Sequence, residues 1–283
     1  MPTQAEKAVQ FQALHHGPHV LVVGNPWDAG TARILTGLGF KALSTTSAGL
    51  AFTLGRRDGT RAVSRDEALA NAHAIVEATP LPVAADLENG YGDSPEAAAE
   101  TIGLAAEIAG LVGGSIEDAT GDSAHPIYDF GLAVERIAAA SEAARGLGFP
   151  FMLVARAENY LHGRADLDDT IRRLQAYEKA GAAVLYAPGI SHPDDIRLIC
   201  ASVSKPVNVL MGLKGVPALS VKDLGALGVR RISIGSGFSR AALTAFVHAA
   251  REVIEDGTFN FTAETLYLSE LAELFPNQEN TYP

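Results

Sequence analysis

Short apolar runs alternate with longer amphipathic stretches along this chain. The short runs are continuously apolar, a pattern typical of parallel strands that are covered on both faces. Eight of them stand in order and predict strands at residues 19–25, 41–47, 82–88, 113–118, 151–158, 182–188, 206–211 and 230–236. A helical pattern follows each predicted strand. This repeated strand–helix unit predicts an α/β fold, a (β/α)8 barrel.

Helix starts are marked by specific residue spacings. Ser64 and Glu67 form a Ser-x-x-Glu capping box, in which each side chain bonds to the backbone of the other residue. Ser94 stands at a predicted N-cap and is followed by Pro95, which suits the first helical position. No low-complexity linker interrupts the pattern. We therefore predict that residues 1–283 form a single barrel domain.

The chain continues past the eighth predicted strand with a helical extension at about 238–275. A long helix is predicted from about Phe238 to Glu255, followed by a turn and a second amphipathic helix over 262–275. Apolar side chains gather on one side of this second helix: Leu266, Leu268, Leu271, Leu274 and Phe275. A finished barrel does not need this segment. We expect it to cover a partner or an end of its own barrel.

Composition narrows the class of protein. The chain has 283 residues, 47% of them hydrophobic, and a formal net charge of −11. An acidic surface argues against a nucleic-acid partner, because binding phosphates needs clustered Lys and Arg. No apolar run reaches the roughly 18 residues that a membrane span needs, so we expect a cytoplasmic protein without a membrane partner. The one cysteine, Cys200, falls on a helical pattern and is predicted to be structural.

Charged residues stand at the ends of three successive predicted strands. Asp86 and Glu88 end the third, Glu117 ends the fourth, and Arg156 and Glu158 end the fifth. A barrel places its active site at the carboxyl ends of its strands. Residues two apart on a strand also point the same way. These side chains are therefore expected to converge at one mouth.

Carboxylates that face one cavity repel each other, and their pKa values rise unless a cation is present. Arg156 supplies one positive charge. Oxygen ligands with no His or Cys nearby favour Mg²⁺ or Mn²⁺ over Zn²⁺. We therefore predict Mg²⁺ or Mn²⁺ at Asp86, Glu88 and Glu117, bound directly or through water.

The segments that carry these residues resemble a known superfamily. "ADLENGYGD", "GSIED" and "VARAEN" occur in this order, after "NPWDAGTARI" and "TTSAGLAFTLGRRDG". Together they resemble the isocitrate lyase / phosphoenolpyruvate mutase superfamily over roughly residues 20–255. The resemblance implies a barrel with Mg²⁺ at its mouth. It also implies that this metal is held by the equivalents of Asp86, Glu88 and Glu117.

The resemblance further implies how a substrate is held. Substrate oxygens are expected at a set of backbone and side-chain groups comprising Ser47, Gly49, Leu50, Asp86 and Arg156. Catalytic roles are expected for Arg156, Asp58, Tyr91 and Glu158. Members of the superfamily cleave or form C–C or P–C bonds next to a 2-oxo or 2-hydroxy acid, through a pyruvate-type enolate. They also exchange their last barrel helix between protomers and pair dimers into tetramers, so a homodimer or homotetramer is expected.

This sequence departs from the superfamily pattern at three places. Glu88 stands where most members have Asp, and its carboxylate can still reach a metal-bound water. The loop after Glu117 reads "DATGDSAHPIYDF" and lacks both the Cys motif of the isocitrate lyases and the Asn-Ser segment of the phosphonate mutases. His125, in this loop, is a candidate replacement acid or base. Leu210 stands where the lyases have Asn. Isocitrate is therefore expected to be a poor substrate.

We predict a Mg²⁺-dependent carbon–carbon lyase of a small 2-oxo or 2-hydroxy diacid, similar to oxaloacetate decarboxylase or methylisocitrate lyase. Two alternatives stay open. One is phosphonomutase chemistry at a P–C bond. The other is a protein that binds a 2-oxo acid without catalysis, because the acid of the altered loop is missing.

Overall fold

Eight parallel strands form one sheet in this computed structural model, which describes residues 1–59, 61–215 and 219–275. The strands are Leu21–Val23 (β1), Leu43–Ser44 (β2), Val83–Asp86 (β3), Gly113–Glu117 (β4), Met152–Arg156 (β5), Val184–Tyr186 (β6), Val207–Leu210 (β7) and Arg231–Ser233 (β8). The order is β1-β8-β7-β6-β5-β4-β3-β2, and a parallel bridge between Gly24 and Leu43 closes the ring. The predicted (β/α)8 barrel is confirmed.

Helices separate the strands and cover the outside of the barrel. They are Gln4–His16 (α1), Ala29–Gly37 (α2), Ser47–Thr53 (α3), Arg65–Glu77 (α4), Pro95–Glu107 (α5), Phe130–Arg145 (α6), Leu167–Lys179 (α7), Pro193–Ser202 (α8), Val221–Ala226 (α9), Gly237–Arg251 (α10) and Leu268–Glu273 (α11). The capping box of Ser64 and Glu67 is present, and Ser94 caps α5. Among the described residues, no helix combines the length and apolarity that crossing a membrane requires.

Helix α1 closes the amino-terminal end of the barrel. Phe11 is fully buried among residues at the starts of the strands, including Leu21, Val112 and Met152. Close approach requires a glycine here, because a Cβ at Gly113 would lie only 3.0 Å from the Phe11 ring. Packed side chains of α1 therefore close the amino-terminal end of the barrel. The carboxyl ends of the strands are left to form the site.

The chain leaves the barrel after β8. Ser239 is the one buried residue of α10, and the helix ends in a π-helical turn, Glu252–Asp256. Gly257 then reverses the chain in a left-handed conformation with φ of 66°. The long predicted helix is thus confirmed to within a few residues. Phe238, near the start of α10, packs edge-on against Phe40 of the barrel, whereas Leu243, Phe246 and Val247 further along the helix are exposed.

The second predicted helix, over 262–275, is wrong as a continuous element. A 3-10 helix, Asn260–Glu264, ends where the Thr265 hydroxyl donates to the carbonyl of Thr262 at 2.9 Å. Such local side-chain bonds compete with the helical ladder. A new helix, α11, begins where the Glu270 carboxylate accepts from the backbone of Tyr267 at 2.7 Å.

The end of this extension lies against its own barrel. The carbonyl of Leu274 and the ring of Phe275 approach α2 beside Gly37 and Gly30. Part of the apolar stripe therefore covers the home barrel, and Leu268 remains 85% exposed. Residues 276–283 of the predicted single domain lie outside the described residues.

Candidate active site

Asp86 ends β3 at the centre of a cluster of charged side chains. Its Oδ2 accepts from the Ser47 hydroxyl at 2.9 Å and from the Ser47 backbone N–H at 3.3 Å. Its Oδ1 accepts from Arg156 Nη1 at 2.8 Å. The Asp86 backbone N–H donates to the Thr45 hydroxyl at 3.1 Å. Asp86 thus joins the carboxyl ends of β2, β3 and β5, as predicted for a barrel mouth.

Arg156 is the cation of this cluster. Its guanidinium lies 2.8 Å from Asp86, 3.1 Å from Glu117 and 2.8 Å from Glu158. The guanidinium also lies over the ring of Tyr186, 5.3 Å from the ring centroid. Burial alone would lower the pKa of Arg156, but the three carboxylates outweigh it and raise the pKa well above its ordinary value. One fixed positive charge is therefore shared among three acids.

Glu88 is not on a strand, which corrects the prediction that it continues the third strand beside Asp86. Strand β3 ends at Asp86, and Glu88 lies in a left-handed turn with φ of 48°. Its backbone N–H donates to Asp86 Oδ1 at 3.3 Å, and its carbonyl accepts from Glu117 N–H at 2.9 Å. These bonds hold a conformation that costs a non-glycine residue about 1–3 kcal/mol. The turn brings Glu88 to the same mouth by a different route.

Two carboxyls of this mouth favour the protonated form. Burial, together with the charges of Asp86 and Asp58, raises the pKa of Glu88 to about 7. Burial also raises the pKa of Glu117 well above its usual range, although Arg156 opposes the shift. The mouth therefore holds more acid than its arginine neutralises.

This excess of acid predicts a pH dependence of stability. The unfolded chain gives Glu88 its ordinary pKa of 4.5, so between pH 4.5 and about 7 the folded state keeps a proton that the unfolded state has lost. The stability contributed by Glu88 is fully present below pH 4.5 and falls as pH rises towards 7. Urea unfolding in EDTA should show about 1–2 kcal/mol more loss over this range in the wild type than in Glu88→Gln. Equal pH profiles for the two proteins would contradict the shift.

Two adjoining cavities open at the cluster. The mouth cavity, about 270 Å³, is lined by residues that include Ser47, Asp58, Glu88, Glu117, Arg156, Glu158 and His162. The interior cavity, about 250 Å³, descends into the barrel and is lined by residues that include Asp86, Arg156, Tyr186, Asn208 and Arg231. Ser47, Asp58 and Arg156 line both. A ligand that enters at the mouth can therefore reach the barrel interior.

Asp118, directly after β4, supports the charged cluster through buried hydrogen bonds. Its Oδ1 accepts from the backbone N–H of Glu158 at 2.8 Å. Its Oδ2 accepts from the Tyr177 hydroxyl at 2.6 Å and from Arg173 Nη1 at 3.1 Å. All three partners are buried. Asp118 therefore fixes the turn that carries Glu158, and Glu158 in turn accepts from Arg156 Nε at 2.8 Å.

Three other residues expected at the site, Gly49, Leu50 and Tyr91, do not face the charged cluster as Ser47 does. Gly49 and Leu50 lie in α3, where their backbone N–H groups donate to the Thr46 side chain and carbonyl. Among the expected loop donors, Ser47 is the one that faces Asp86. Tyr91 is half-buried beside Glu88, and it lines a neighbouring depression instead of the two cavities. Roles for these residues in substrate binding or catalysis stay predictions.

The altered loop does not bring its histidine to the site. The His125 side chain is 85% exposed and lies 3.4 Å from Asp122. It does not line the mouth cavity, whereas His162, which sequence reasoning missed, does. Cys200 lies in α8, where burial raises the pKa of its thiol to about 11. The thiol is therefore neutral at physiological pH.

Comparison with known proteins settles the family. The family model for phosphoenolpyruvate phosphomutase matches residues 11–254. The chain belongs to this family. The predicted resemblance to the isocitrate lyase / phosphoenolpyruvate mutase superfamily is thereby confirmed, and so is the expectation of a carbon–carbon lyase type of enzyme.

Solved structures and curated relatives extend this result. A candidate lyase/mutase from Burkholderia cenocepacia J2315 is 55% identical, covers 97% of both chains and superposes with a TM-score of 0.93. A 2,3-dimethylmalate lyase of the same superfamily is 26% identical over 97% of this chain and 95% of its own, with a TM-score of 0.84. An oxaloacetate decarboxylase of Bradyrhizobium diazoefficiens is 29% identical over 88% of this chain and 85% of its own.

Members of the phosphoenolpyruvate phosphomutase superfamily are generally Mg²⁺-dependent. The carboxylates at the mouth of this barrel suit Mg²⁺ if most of them bind it through water. No group of three or more His, Cys, Asp or Glu side chains in the described ranges is close enough to hold an ion by protein ligands alone. Mg²⁺ keeps several of its waters and needs only one or two carboxylates. Burial and neighbouring acids raise the pKa values of Glu88 and Glu117, and a bound cation would favour the charged form of both carboxyls. The arrangement therefore suits one direct carboxylate with the others reaching metal-bound water.

Proposed function

We propose that this protein is a Mg²⁺-dependent lyase that breaks a C–C bond in a small 2-oxo or 2-hydroxy diacid through a pyruvate-type enolate. One observation carries the proposal. Arg156 lies within 3.1 Å of Asp86, Glu117 and Glu158, at the junction of two cavities. Its fixed guanidinium is positioned to meet an anionic substrate oxygen, and the surrounding acids provide for a divalent cation.

Different residues at the mouth would bind the substrate, position the binding groups and hold the metal. Arg156 binds a substrate oxygen and stabilises the negative charge that develops when the C–C bond breaks and its electron pair enters the enolate. Glu158 and Glu117 hold the guanidinium in place, and Ser47 orients Asp86. Mg²⁺, held by Asp86 with Glu88 and Glu117 through water, would supply Lewis-acid polarisation of the 2-oxo group. The enolate then takes a proton at carbon.

Decarboxylation of an oxaloacetate-type acid is the reaction that these residues support best. Loss of CO₂ requires enolate stabilisation but no acid to protonate a departing dianion. Neither the candidate acid of the altered loop nor the one cysteine is at the mouth, because His125 is exposed outside the mouth cavity and Cys200 lies in α8. The similarity to an oxaloacetate decarboxylase agrees with this choice.

Turnover of a panel of diacids tests the proposal. Oxaloacetate, 2-methylisocitrate, isocitrate, 2,3-dimethylmalate and phosphonopyruvate would each be incubated with enzyme and Mg²⁺, with EDTA as control. We expect oxaloacetate to give pyruvate and CO₂ only when Mg²⁺ is present. Rearrangement of phosphonopyruvate would instead support a mutase. If the protein binds these acids but turns over none of them, it is a non-catalytic binding protein.

We further propose that the protein is a homodimer or homotetramer in which α10 docks on a second copy. The helix exposes Phe246 at 69% and Leu243 at 42%. An apolar groove of about 640 Å³ lies beside β1 on the barrel surface and is lined by residues that include Leu14, Val20 and Phe40. A barrel normally covers this position with its own last helix. Phe238 packs on Phe40 at one edge of this groove, and the exposed apolar side chains further along α10 would fit the open part of the groove on a second copy.

Light scattering on the full-length protein should therefore report an oligomer. Phe246→Asp should shift the population towards monomer, since each large apolar side chain buried contributes about 1.5–3 kcal/mol. Ile108→Asp, a matched change at an exposed apolar position of the home barrel, should leave the oligomer intact. A monomeric wild type would reject the assembly. An unchanged oligomer in Phe246→Asp and in a chain truncated after Asp256 would place the interface elsewhere.

A further inference from the structure

A row of polar side chains descends through the interior of the barrel from Arg156. Arg156 pairs with Tyr186 on β6, Tyr186 with Asn208 on β7, and Asn208 with Arg231 on β8. All four line the interior cavity. The inward positions of such barrels are usually filled by branched apolar residues. This barrel instead keeps an open space with polar walls below its active site.

Arg231 is a buried cation with no acid beside it. The residue is 4% exposed, and none of the described carboxylates lies within ion-pair distance of its guanidinium. Its Nε has no hydrogen-bond partner among the described residues. Its Nη1 lies 3.5 Å from His15 Nε2, and the guanidinium lies 5.7 Å from the centroid of the Phe11 ring.

His15 does not supply the missing negative charge. Burial and, to a smaller extent, the charge of Arg231 lower the pKa of His15 to about 3, so the imidazole is neutral. Its Nδ1 lies 2.7 Å from the Phe11 carbonyl and is therefore the protonated nitrogen. Buried charges in proteins are ordinarily paired. Arg231 thus retains an uncompensated charge at the wall of a cavity.

Asn208 leaves a second polar atom without a partner in the same place. The residue is 3% exposed; its amide nitrogen donates to the Ser233 hydroxyl at 2.9 Å, and its amide oxygen has no partner among the described residues. Turning the amide over would only transfer the deficit to the nitrogen. A ligand that satisfies both residues must be anionic and must also offer a polar group to Asn208.

We propose that Arg231 and Asn208 form a subsite for the second carboxylate of the substrate, deep in the barrel and distinct from the Arg156 end that binds the reacting group. This assignment rests on the proposed function, and it names a dianionic acid of four or more carbons as the substrate class. The two arginines line one continuous cavity. A dianion that spans it would therefore meet a cation at each end. Tyr186 and Ser233 also line this cavity.

The subsite predicts a specificity that depends on acid length. Oxalate has both carboxylates at the reacting end and should depend on Asp86 and Arg156 alone. Malate carries its second carboxylate beyond the hydroxyl-bearing carbon and should also depend on Arg231. Binding of each acid in the presence of Mg²⁺ would be measured by calorimetry, so the result does not depend on turnover.

In Arg231→Met we expect malate affinity to fall at least tenfold and oxalate affinity to change less than twofold. Arg231→Lys should recover part of the malate affinity, and Asn208→Leu should weaken malate several-fold. Arg230→Met is the matched control, because this exposed neighbour undergoes the same chemical change outside the cavity. It should bind both acids like the wild type. If Arg231→Met fails to fold, Asn208→Leu and Ser233→Ala decide the question.

Three results would overturn the subsite. Malate affinity could be unchanged in Arg231→Met, or oxalate and malate could weaken equally, in which case Arg231 acts on the whole site. Chloride could stabilise the wild type but not Arg231→Met while malate binding stays the same. That pattern would show that Arg231 binds an inorganic anion and not a carboxylate of the substrate. If malate binding depends on Arg231 but none of the diacids is turned over, the proposed reaction is wrong and the proposed subsite still holds.

Discussion

Replacing Arg156 with lysine should lower kcat/KM at least tenfold, a loss of about 1.4 kcal/mol of transition-state stabilisation. The guanidinium is a planar fork that contacts Asp86, Glu117 and Glu158 at once. An ammonium keeps the charge but cannot hold three carboxylates and a substrate oxygen in one geometry. The charge that develops on the enolate would then meet a displaced and more mobile cation.

Steady-state kinetics with the substrate that the diacid panel identifies would measure this loss. Arg172→Lys is a matched control, because Arg172 is exposed on α7 and pairs with Asp169 at 2.6 Å. It should retain wild-type kinetics. If Arg156→Lys also turns over at the wild-type rate with an unchanged KM, Arg156 does not act on the substrate. The proposed division of work would then be wrong.

Removing the buried Asp118 carboxylate should cost about 3 kcal/mol of unfolding free energy. Asp118→Ala leaves the Tyr177 hydroxyl and the Glu158 backbone N–H without their acceptor in the core. Arg173 keeps its second partner, Asp169, at 2.8 Å. The expected loss of unfolding free energy is therefore at the lower end of the range for removing one partner of a buried ion pair. The turn that carries Glu158 would also loosen, so activity should fall together with stability.

Urea denaturation of the wild type, Asp118→Ala and Asp168→Ala would test this network. Asp168 is exposed in the first turn of α7, and its loss should change stability by no more than about 0.5 kcal/mol. An Asp118→Ala protein as stable as that control would show that the buried bonds contribute nothing net. It would also remove the physical basis for the fixed position of Glu158.

Features set by local sequence could be predicted before the structure. Continuous apolar runs marked all eight strands because both faces of a parallel sheet are covered. Asp86, Glu117 and Arg156 could be assigned to one mouth because each ends a strand and the barrel brings those ends together. The register confirms this for Glu117 and Arg156, which are direct partners across β4 and β5.

Features set by tertiary contacts could not be predicted from periodicity. Glu88 reaches the mouth through a left-handed turn that the Asp86 and Glu117 backbones hold, and a strand pattern carries no sign of it. The break near Thr265 arises from side-chain bonds within one apolar stripe. Asn208 and Arg231 interrupt apolar strands, and that interruption was an available signal. Their meeting in one cavity follows from the register of β7 against β8.

Calorimetric titration of Mg²⁺ into the wild type and into Asp86→Ala tests the central claim most directly, since the proposed chemistry depends on a cation at this cluster. The wild type should bind one Mg²⁺ per protomer, and Asp86→Ala should bind it at least tenfold more weakly or not at all. Asp168→Ala, which removes one exposed acid elsewhere, should bind like the wild type. Mg²⁺ affinity that is unchanged in Asp86→Ala would contradict the account.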